Sequence, residues 1–215
     1  MKTIVHAGPA GAPRRAIAML NGSYSDPQDL VREGLFAEAD AHALASELIA
    51  AELRASWFAD GTIVDRLREH VVAPAQARGY ARVWLGGISL GALSALAYVA
   101  RREQDVEGLV LLSPYPGARD IQREIDAAGG LARWQPAIPD EGDFEREAWQ
   151  WLASRGKSMP VQCWFGRGDR FVEGQRRIAA TLDPIGVHER EGGHDWPAWR
   201  AFWREFASEF AAVAS

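Results

Sequence analysis

Short β-like runs alternate with helical patterns along nearly the whole chain, and this alternation limits the possible folds most strongly. The helical pattern is clear where Ile63, Leu67 and Val71 recur at four-residue spacing, and where Leu90 to Ala100 is apolar nearly all round. Strands that alternate with helices are typical of parallel βαβ units, so we predict an α/β fold around a parallel sheet. The strand candidates are Ala16 to Leu20, Leu48 to Leu53, Arg82 to Gly87, Gly108 to Ser113, Val161 to Phe165 and Gly186 to Glu189.

The last helix shows the clearest pattern, because its large apolar residues follow one another at steps of three and four and so share one face. Asp195 stands where it can cap the start of this helix, and Pro197 falls in the first turn, where its missing N–H costs nothing. We expect the shared face to pack against the sheet. Its residues are Trp196, Trp199, Trp203, Phe206, Phe210 and Val213.

Length and composition indicate one compact domain over residues 1–215. The chain is 47% hydrophobic and 25% charged, which is average for globular proteins. Its formal net charge is -5, and no run of lysines or arginines approaches the basic patch that phosphate binding would need, so nucleic acid is not an expected partner.

No segment has the ~18 to 20 uninterrupted apolar residues of a membrane span. Residues 1–11 also lack the layout of a secretory signal peptide. We therefore expect a cytoplasmic protein without membrane contacts. Cys163, the single cysteine, stands in an apolar run and is interpreted as a buried structural thiol.

The sequence Gly87-Ile88-Ser89-Leu90-Gly91 matches GxSxG, the turn that joins a strand to a helix and exposes a nucleophilic serine. Glycines are needed there because side chains two positions before and after the serine would collide, and Gly86 extends the same small-residue stretch. The strand-like Ala81 to Leu85 precedes the motif and a helical pattern follows it. Ser89 is therefore our candidate nucleophile; the alternative is an ordinary serine in a glycine-rich turn.

A serine hydroxyl needs a base to take its proton and an acid to orient that base. Asp169 follows the strand candidate that ends at Phe165, so it lies at the carboxyl end of a sheet strand, where α/β sites are assembled. His194 follows Gly192 and Gly193 on the loop before the last helix. We predict Asp169 as the acid and His194 as the base.

The remaining histidines fit the role of base less well. His42 and His70 fall within helical patterns, and His188 falls within a strand candidate. His6 follows an N-terminal apolar run and is the one rival, although it precedes the serine in the chain.

Acyl transfer also needs N–H donors for the developing oxyanion. The backbone N–H of Leu90 follows the nucleophile and supplies the first donor. For the second we predict the N–H of Ser23, with Gly22 next, on the loop after Leu20. The alternative is that this loop is a simple polar turn.

The motifs NGS, GISLG, GRGD and GGH follow one another along the chain in this order, and through them the sequence resembles the α/β-hydrolase superfamily over nearly its whole length. It looks like a small bacterial esterase. The resemblance implies a mostly parallel central sheet flanked by helices on both faces, with a short helical cap insertion at residues 114–160. The family's more usual His-Gly at the oxyanion loop is here Asn21-Gly22.

Three tryptophans fall in the segment 114–160, namely Trp134, Trp149 and Trp151. As part of a cap they would wall an apolar pocket, and we predict that Trp149 binds substrate together with Tyr24 and Tyr115. The alternative is that the tryptophans pack the insertion onto the domain.

The expected activity is hydrolysis of a small carboxylic ester through an acyl-enzyme on Ser89. No metal or other cofactor is needed, and we expect a monomer or homodimer. A thioesterase would use the same triad, as would a carbon–carbon bond hydrolase or an acyltransferase. A non-catalytic ligand-binding protein with this fold is the alternative from a different class.

Overall fold

A computed structural model of the protein describes residues 1–8, 15–136 and 143–213, and its centre is a mostly parallel sheet. Within the described residues the sheet has seven strands in the order β1-β3-β2-β4-β5-β6-β7. All neighbouring strands are parallel except β1, which is antiparallel to β3. The prediction of a mostly parallel α/β sheet is confirmed. The strands are β1 (Thr3–His6), β2 (Ala16–Leu20), β3 (Glu47–Ala51), β4 (Val83–Ile88), β5 (Val106–Leu112), β6 (Val161–Gly166) and β7 (Val187–Arg190).

All six strand candidates form strands, with ends shifted by no more than two residues. The strand that sequence analysis did not predict is β1, at the edge of the sheet. It has four residues, no fully buried side chain, and a Val5 that is 48% exposed. An edge strand of this kind carries neither a long apolar run nor an alternating one.

Helices cover both faces of the sheet. One core cluster joins alternate β2 residues, such as Ala16 and Leu20, to α4, α5, α6 and α8, and the other joins Ile17 and Met19 to α1, α2 and α10. A π-helical turn at Arg68–Val72 links α4 to α5. The helices are α1 (Pro27–Arg32), α2 (Leu35–Ala41), α3 (Ala55–Ala59), α4 (Ile63–Leu67), α5 (Ala73–Ala77), α6 (Leu90–Arg102), α7 (Arg119–Ala127), α8 (Phe144–Arg155), α9 (Val172–Ala179) and α10 (Trp196–Val213).

Helix α6 lies in the middle of the molecule, as its all-round apolar sequence predicted. Every residue from Leu90 to Val99 is buried, and the helix packs between β4, β5, α4 and α8. Its first residue directly follows Ser89, so the densest part of the core fixes the position of that serine.

Helix α10 begins as predicted, because Asp195 Oδ1 accepts from the Ala198 N–H at 3.1 Å. Trp203 and Phe206 are buried against the sheet, and Trp203 Nε1 donates to the carbonyl of Leu35 at 2.9 Å. Trp196 and Trp199 in the first turn are only partly buried. The packing face therefore begins about one turn into the helix.

The segment 114–160 contributes α7 and α8, and its residues 137–142 lie outside the described part of the chain. Helix α8 packs along α6, and Trp134, Trp149 and Trp151 are all buried. Burial of these indoles is what holds the described part of this segment against the domain. None of the described helices is long and apolar enough to cross a membrane.

Candidate active site

Ser89 sits in a sharp turn between β4 and α6, with φ of 54° and ψ of −114°. A non-glycine residue in this region is strained, and the surroundings hold it there. The Ser89 N–H donates to the Leu112 carbonyl at 3.0 Å, and the Ser89 carbonyl accepts from the Tyr115 N–H at 3.1 Å. Both bonds come from the chain that continues β5, so β5 and the loop after it fix the backbone of the serine.

The neighbouring glycines are required by space. A Cβ on Gly87 would lie 2.7 Å from the carbonyl carbon of Gly91, and a Cβ on Gly91 would lie 2.6 Å from the Asn21 carbonyl oxygen. At Gly86 the obstacle is the adjacent strand, since a Cβ there would lie 2.1 Å from the Val110 carbonyl oxygen. Larger residues at these positions would displace the turn.

A continuous chain of hydrogen bonds joins the three predicted catalytic side chains. Ser89 Oγ lies 2.9 Å from His194 Nε2, and His194 Nδ1 lies 2.7 Å from Asp169 Oδ2. Ser89 follows β4, Asp169 follows β6 and His194 follows β7, so all three come from the carboxyl edge of the sheet. A proton on Nδ1, held by the carboxylate, leaves Nε2 free to accept from the serine hydroxyl.

The Asp169 carboxylate is fully buried and held by several donors. Its Oδ1 accepts from the Phe171 N–H at 2.8 Å, and its Oδ2 accepts from Gln175 Nε2 at 3.0 Å as well as from His194. Burial raises the pKa of this carboxyl, but the hydrogen bonds from His194, Gln175 and Phe171 lower it more, and its pKa is below the ordinary value. Asp169 is therefore ionised at neutral pH.

The loops that carry Asp169 and His194 are hydrogen-bonded to each other. The Gly168 N–H donates to the Gly192 carbonyl at 2.9 Å, and the Arg167 N–H donates to the Arg190 carbonyl at 2.8 Å. A Cβ on Gly166 would lie 2.1 Å from the Gly192 carbonyl oxygen. Glycine at 166 thus allows the close approach that brings Asp169 next to His194.

The loop after β2 reaches the same site. The buried Asn21 amide anchors it: Nδ2 donates to the Ser25 carbonyl at 2.6 Å and the Leu53 carbonyl at 3.1 Å, and Oδ1 accepts from the Leu53 N–H at 2.8 Å. Gly22 lies beside the end of β4, since a Cβ on it would be 3.7 Å from the Ile88 carbonyl oxygen. Sequence analysis named Gly22 and Ser23 but missed the anchoring role of Asn21.

A cleft of about 610 Å³ opens over Ser89 and His194. The predicted residues Leu90, Ser23, Gly22, Tyr24 and Tyr115 all line it, and Tyr24 is 99% exposed at the rim. The full lining is Gly22, Ser23, Tyr24, Ser25, Ser89, Leu90, Tyr115, Arg170, Phe171, His194, Asp195, Trp196 and Trp199.

Trp149 does not line this cleft, which corrects its predicted place at the substrate. It is 1% exposed, and its Nε1 donates to the Pro116 carbonyl at 3.0 Å. Within the described part of segment 114–160, Tyr115 alone contributes to the lining. The physical reason is that α8 buries its indoles against the domain instead of turning them toward Ser89.

The aromatic wall of the cleft was missed at the sequence level. The Phe171 ring meets the His194 imidazole edge to face with centroids 5.0 Å apart, and Trp199 does so at 5.2 Å. Trp196 in turn meets Trp199 at 5.1 Å. The available signal was proximity in sequence, because Phe171 follows Asp169 and both tryptophans follow His194 within one or two turns.

The described residues form no metal-binding cluster. No group of three or more histidine, cysteine, aspartate or glutamate side chains among them is arranged to hold a metal ion. The buried carboxylate Asp169 instead has N–H donors as its partners.

Of the comparisons with known proteins, the one with solved structures agrees with this architecture. No protein-family model matches the sequence, and no curated protein matches it. Among solved structures, the fluorophosphonate-binding serine hydrolase FphF of Staphylococcus aureus is similar with a TM-score of 0.71 at 14% identity, over 97% of this chain and 91% of that one. Est1E of Butyrivibrio proteoclasticus has a TM-score of 0.65 at 15% identity, over 99% and 93% of the two chains.

The S-formylglutathione hydrolase FrmB of Staphylococcus aureus is similar as well, with a TM-score of 0.64 at 15% identity, over 93% of this chain and 82% of that one. At such identities the likeness concerns the fold. The sheet, its flanking helices and these similarities together show that the chain has the α/β-hydrolase fold.

Proposed function

We propose that this protein is a serine hydrolase that cleaves a small carboxylic ester through an acyl-enzyme on Ser89. The observation that carries the proposal is the unbroken hydrogen-bond chain from Ser89 Oγ through His194 to the buried Asp169 carboxylate, at the floor of an open cleft. An activated serine next to an aromatic-lined pocket is suited to acyl transfer from small organic esters.

In the acylation step, His194 Nε2 takes the proton of Ser89 as Oγ bonds to the ester carbonyl carbon. The carbonyl oxygen becomes an oxyanion that accepts from the N–H of Leu90 and from that of Ser23 or Gly22. The ionised Asp169 stabilises the imidazolium that forms. The bond to the alcohol oxygen then breaks, and His194 gives its proton to that oxygen.

Deacylation repeats these steps with water. His194 takes a proton from water, whose oxygen bonds to the acyl carbon, and the proton goes to Ser89 Oγ when the acid leaves. Every proton transfer uses the same imidazole nitrogen, which lies 2.9 Å from Ser89 Oγ.

Thioester hydrolysis is the second candidate. The comparison that favours it is the likeness to FrmB, described as an S-formylglutathione hydrolase, a name that denotes a thioester substrate. The same triad serves both reactions, because only the leaving atom changes from oxygen to sulfur.

Labelling with a fluorophosphonate probe tests the proposal, together with turnover of p-nitrophenyl acetate. We expect the wild type to be labelled and active, and Ser89→Ala to lose both. Ser154→Ala is the matched control, because Ser154 is exposed on α8 and its hydroxyl donates to the Gln150 carbonyl. A folded wild type without labelling or turnover would refute the proposal. Comparing oxygen and sulfur esters of one acid then separates the two candidates.

A further inference from the structure

Arg170 is a charged residue in the cleft, and its guanidinium has no acidic partner in the part of the chain that the structure describes. It directly follows Asp169, is exposed, and lines the cleft. No carboxylate of the described residues lies within 4.0 Å of its guanidinium nitrogens, and its guanidinium carbon lies over the Phe171 ring, 4.8 Å from the centroid.

Other arginines around this loop are paired. Arg167 bonds to Glu191 at 2.6 Å, Arg176 to Glu189 at 2.8 Å, and Arg190 to Glu205 at 2.9 Å. Arg170 thus differs from these neighbours: it lines the space where a substrate would lie, and its N–H groups have no carboxylate partner among the described residues. A guanidinium fork of this kind matches a carboxylate.

The acidic residue of the cleft, Asp195, is already engaged. Its Oδ1 accepts from the Ala198 N–H at the start of α10, and it makes no ion pair with Arg170. The helix N-terminus offsets the charge of this carboxylate. The cation at residue 170 is therefore left for a ligand.

The position of Arg170 relative to His194 indicates which part of the substrate it faces. The Phe171 ring contacts both, with its centroid 5.0 Å from the imidazole centroid and 4.8 Å from the guanidinium carbon. In ester cleavage the imidazole protonates the leaving oxygen, so the leaving group lies on the His194 side of the reacting carbon. Arg170 borders that side.

We propose that the alcohol or thiol part of the substrate carries a carboxylate, and that Arg170 binds this carboxylate at the mouth of the cleft. The inference rests on the proposed hydrolase function and adds a substrate class to it. Phe171, stacked under the guanidinium, holds the side chain in place, and Trp196 and Trp199 offer apolar surface to the rest of the leaving group.

The test uses two esters that differ in one charge, 3-acetoxybenzoate and methyl 3-acetoxybenzoate. We expect Arg170→Gln to lower kcat/KM for the charged ester relative to the neutral one by about tenfold, the size of one charge-assisted hydrogen bond. The matched control is Arg167→Gln, which removes the same charge from the same loop outside the cleft lining. It should leave the ratio within about twofold, because an exposed charge away from the ligand is screened.

The inference is overturned if Arg170→Gln slows both esters equally, or if Arg167→Gln changes the ratio as much. Turnover of the neutral ester by the wild type, and its loss in Ser89→Ala, tests the proposed function separately. Should neither ester be turned over, calorimetric binding of 3-hydroxybenzoate still decides on Arg170. If only Arg170→Gln binds 3-hydroxybenzoate about tenfold more weakly than the wild type, the inference is supported. If the wild type, Arg170→Gln and Arg167→Gln bind it with equal affinity, the inference is overturned.

Discussion

The side-chain amide of Gln175 donates to the same oxygen of Asp169, Oδ2, that is bonded to Nδ1 of His194. Gln175 is fully buried at the inner face of α9, and its Nε2 also donates to the Pro114 carbonyl at 3.4 Å. Its Oε1 has no partner among the described residues. Gln175 thus links Asp169 to the loop after β5 by donating to both.

Replacing Gln175 by leucine removes these donors at similar volume. We expect kcat for p-nitrophenyl acetate to fall about tenfold with KM nearly unchanged, because Gln175 orients Asp169 and does not line the cleft. The free energy of unfolding in urea should fall by about 1 to 2 kcal/mol. The downfield NMR signal of the proton between Asp169 and His194 should also shift. A purely structural role predicts the stability loss with an unchanged signal and kcat.

The pH dependence of stability tests the ionisation of Asp169. Because its pKa is below the ordinary value in the folded protein, its charged form stabilises the fold above about pH 4, and this contribution is lost as the pH falls through the lower folded pKa. Urea unfolding of wild type and Asp169→Asn should therefore differ most above about pH 4 and converge below it. A difference that grows on acidification would contradict this sign. The same variant should lose about 10³ to 10⁴ in kcat.

The elbow glycines differ in how much space they leave. Gly87→Ala and Gly91→Ala would place a Cβ 2.7 Å or less from backbone atoms, so we expect losses of about 3 kcal/mol or more, or failure to fold. At Gly22 the nearest atom lies at 3.7 Å, an ordinary contact, and Gly22→Ala should cost less than about 1 kcal/mol. Urea denaturation measures all three. If all three variants lost the same unfolding free energy, steric strain at the turn would not be the cause of the destabilisation.

Two tryptophans form a matched pair for testing hydrogen bonding. Trp149 Nε1 donates to the Pro116 carbonyl, whereas the buried Nε1 of Trp199 has no partner among the described residues. Substitution by phenylalanine removes a hydrogen bond in the first case alone, although the Pro116 carbonyl still accepts from Gln122 Nε2. We expect Trp149→Phe to be less stable than Trp199→Phe by about 1 kcal/mol, the net contribution of one hydrogen bond. Equal unfolding free energies would show that the Trp149 bond contributes nothing.

The buried Cys163 should be chemically silent in the folded protein. Burial raises the pKa of its thiol to about 12, so the thiolate is scarce as well as inaccessible. At about pH 8 we expect Ellman's reagent to react slowly with native protein and fast in guanidinium chloride. Fast reaction of the native protein would show that β6 opens locally.

The features that sequence analysis predicted well are those fixed by local pattern. Six strands and α6 follow from apolar runs, and the position of Ser89, Asp169 and His194 at one edge of the sheet follows from motifs at strand ends. Strand β1 was missed because its stability comes from pairing with β3 and not from its own pattern. Pairing between two strands depends on both segments, so the sequence of one strand alone does not reveal it.

The walls of the cleft were harder to predict, because they depend on where helices are placed. Trp196 belongs to the same stripe as Trp203, yet one faces the cleft and the other the core, since the stripe runs past the end of the sheet. Trp149 was assigned to the cleft although α8 turns it inward. The role of Gln175 required knowing that one turn of α9 lies beside Asp169.

Tyr115 contacts Ser89 through its main chain and lines the cleft with its ring. Its N–H holds the Ser89 carbonyl, while its ring stands 5.2 Å from that of Phe171. The two functions are chemically separable, since any residue but proline retains the N–H. Position 115 is thus a natural entry point for directed evolution, because new side chains there would change the wall of the cleft while the backbone of Ser89 keeps its support.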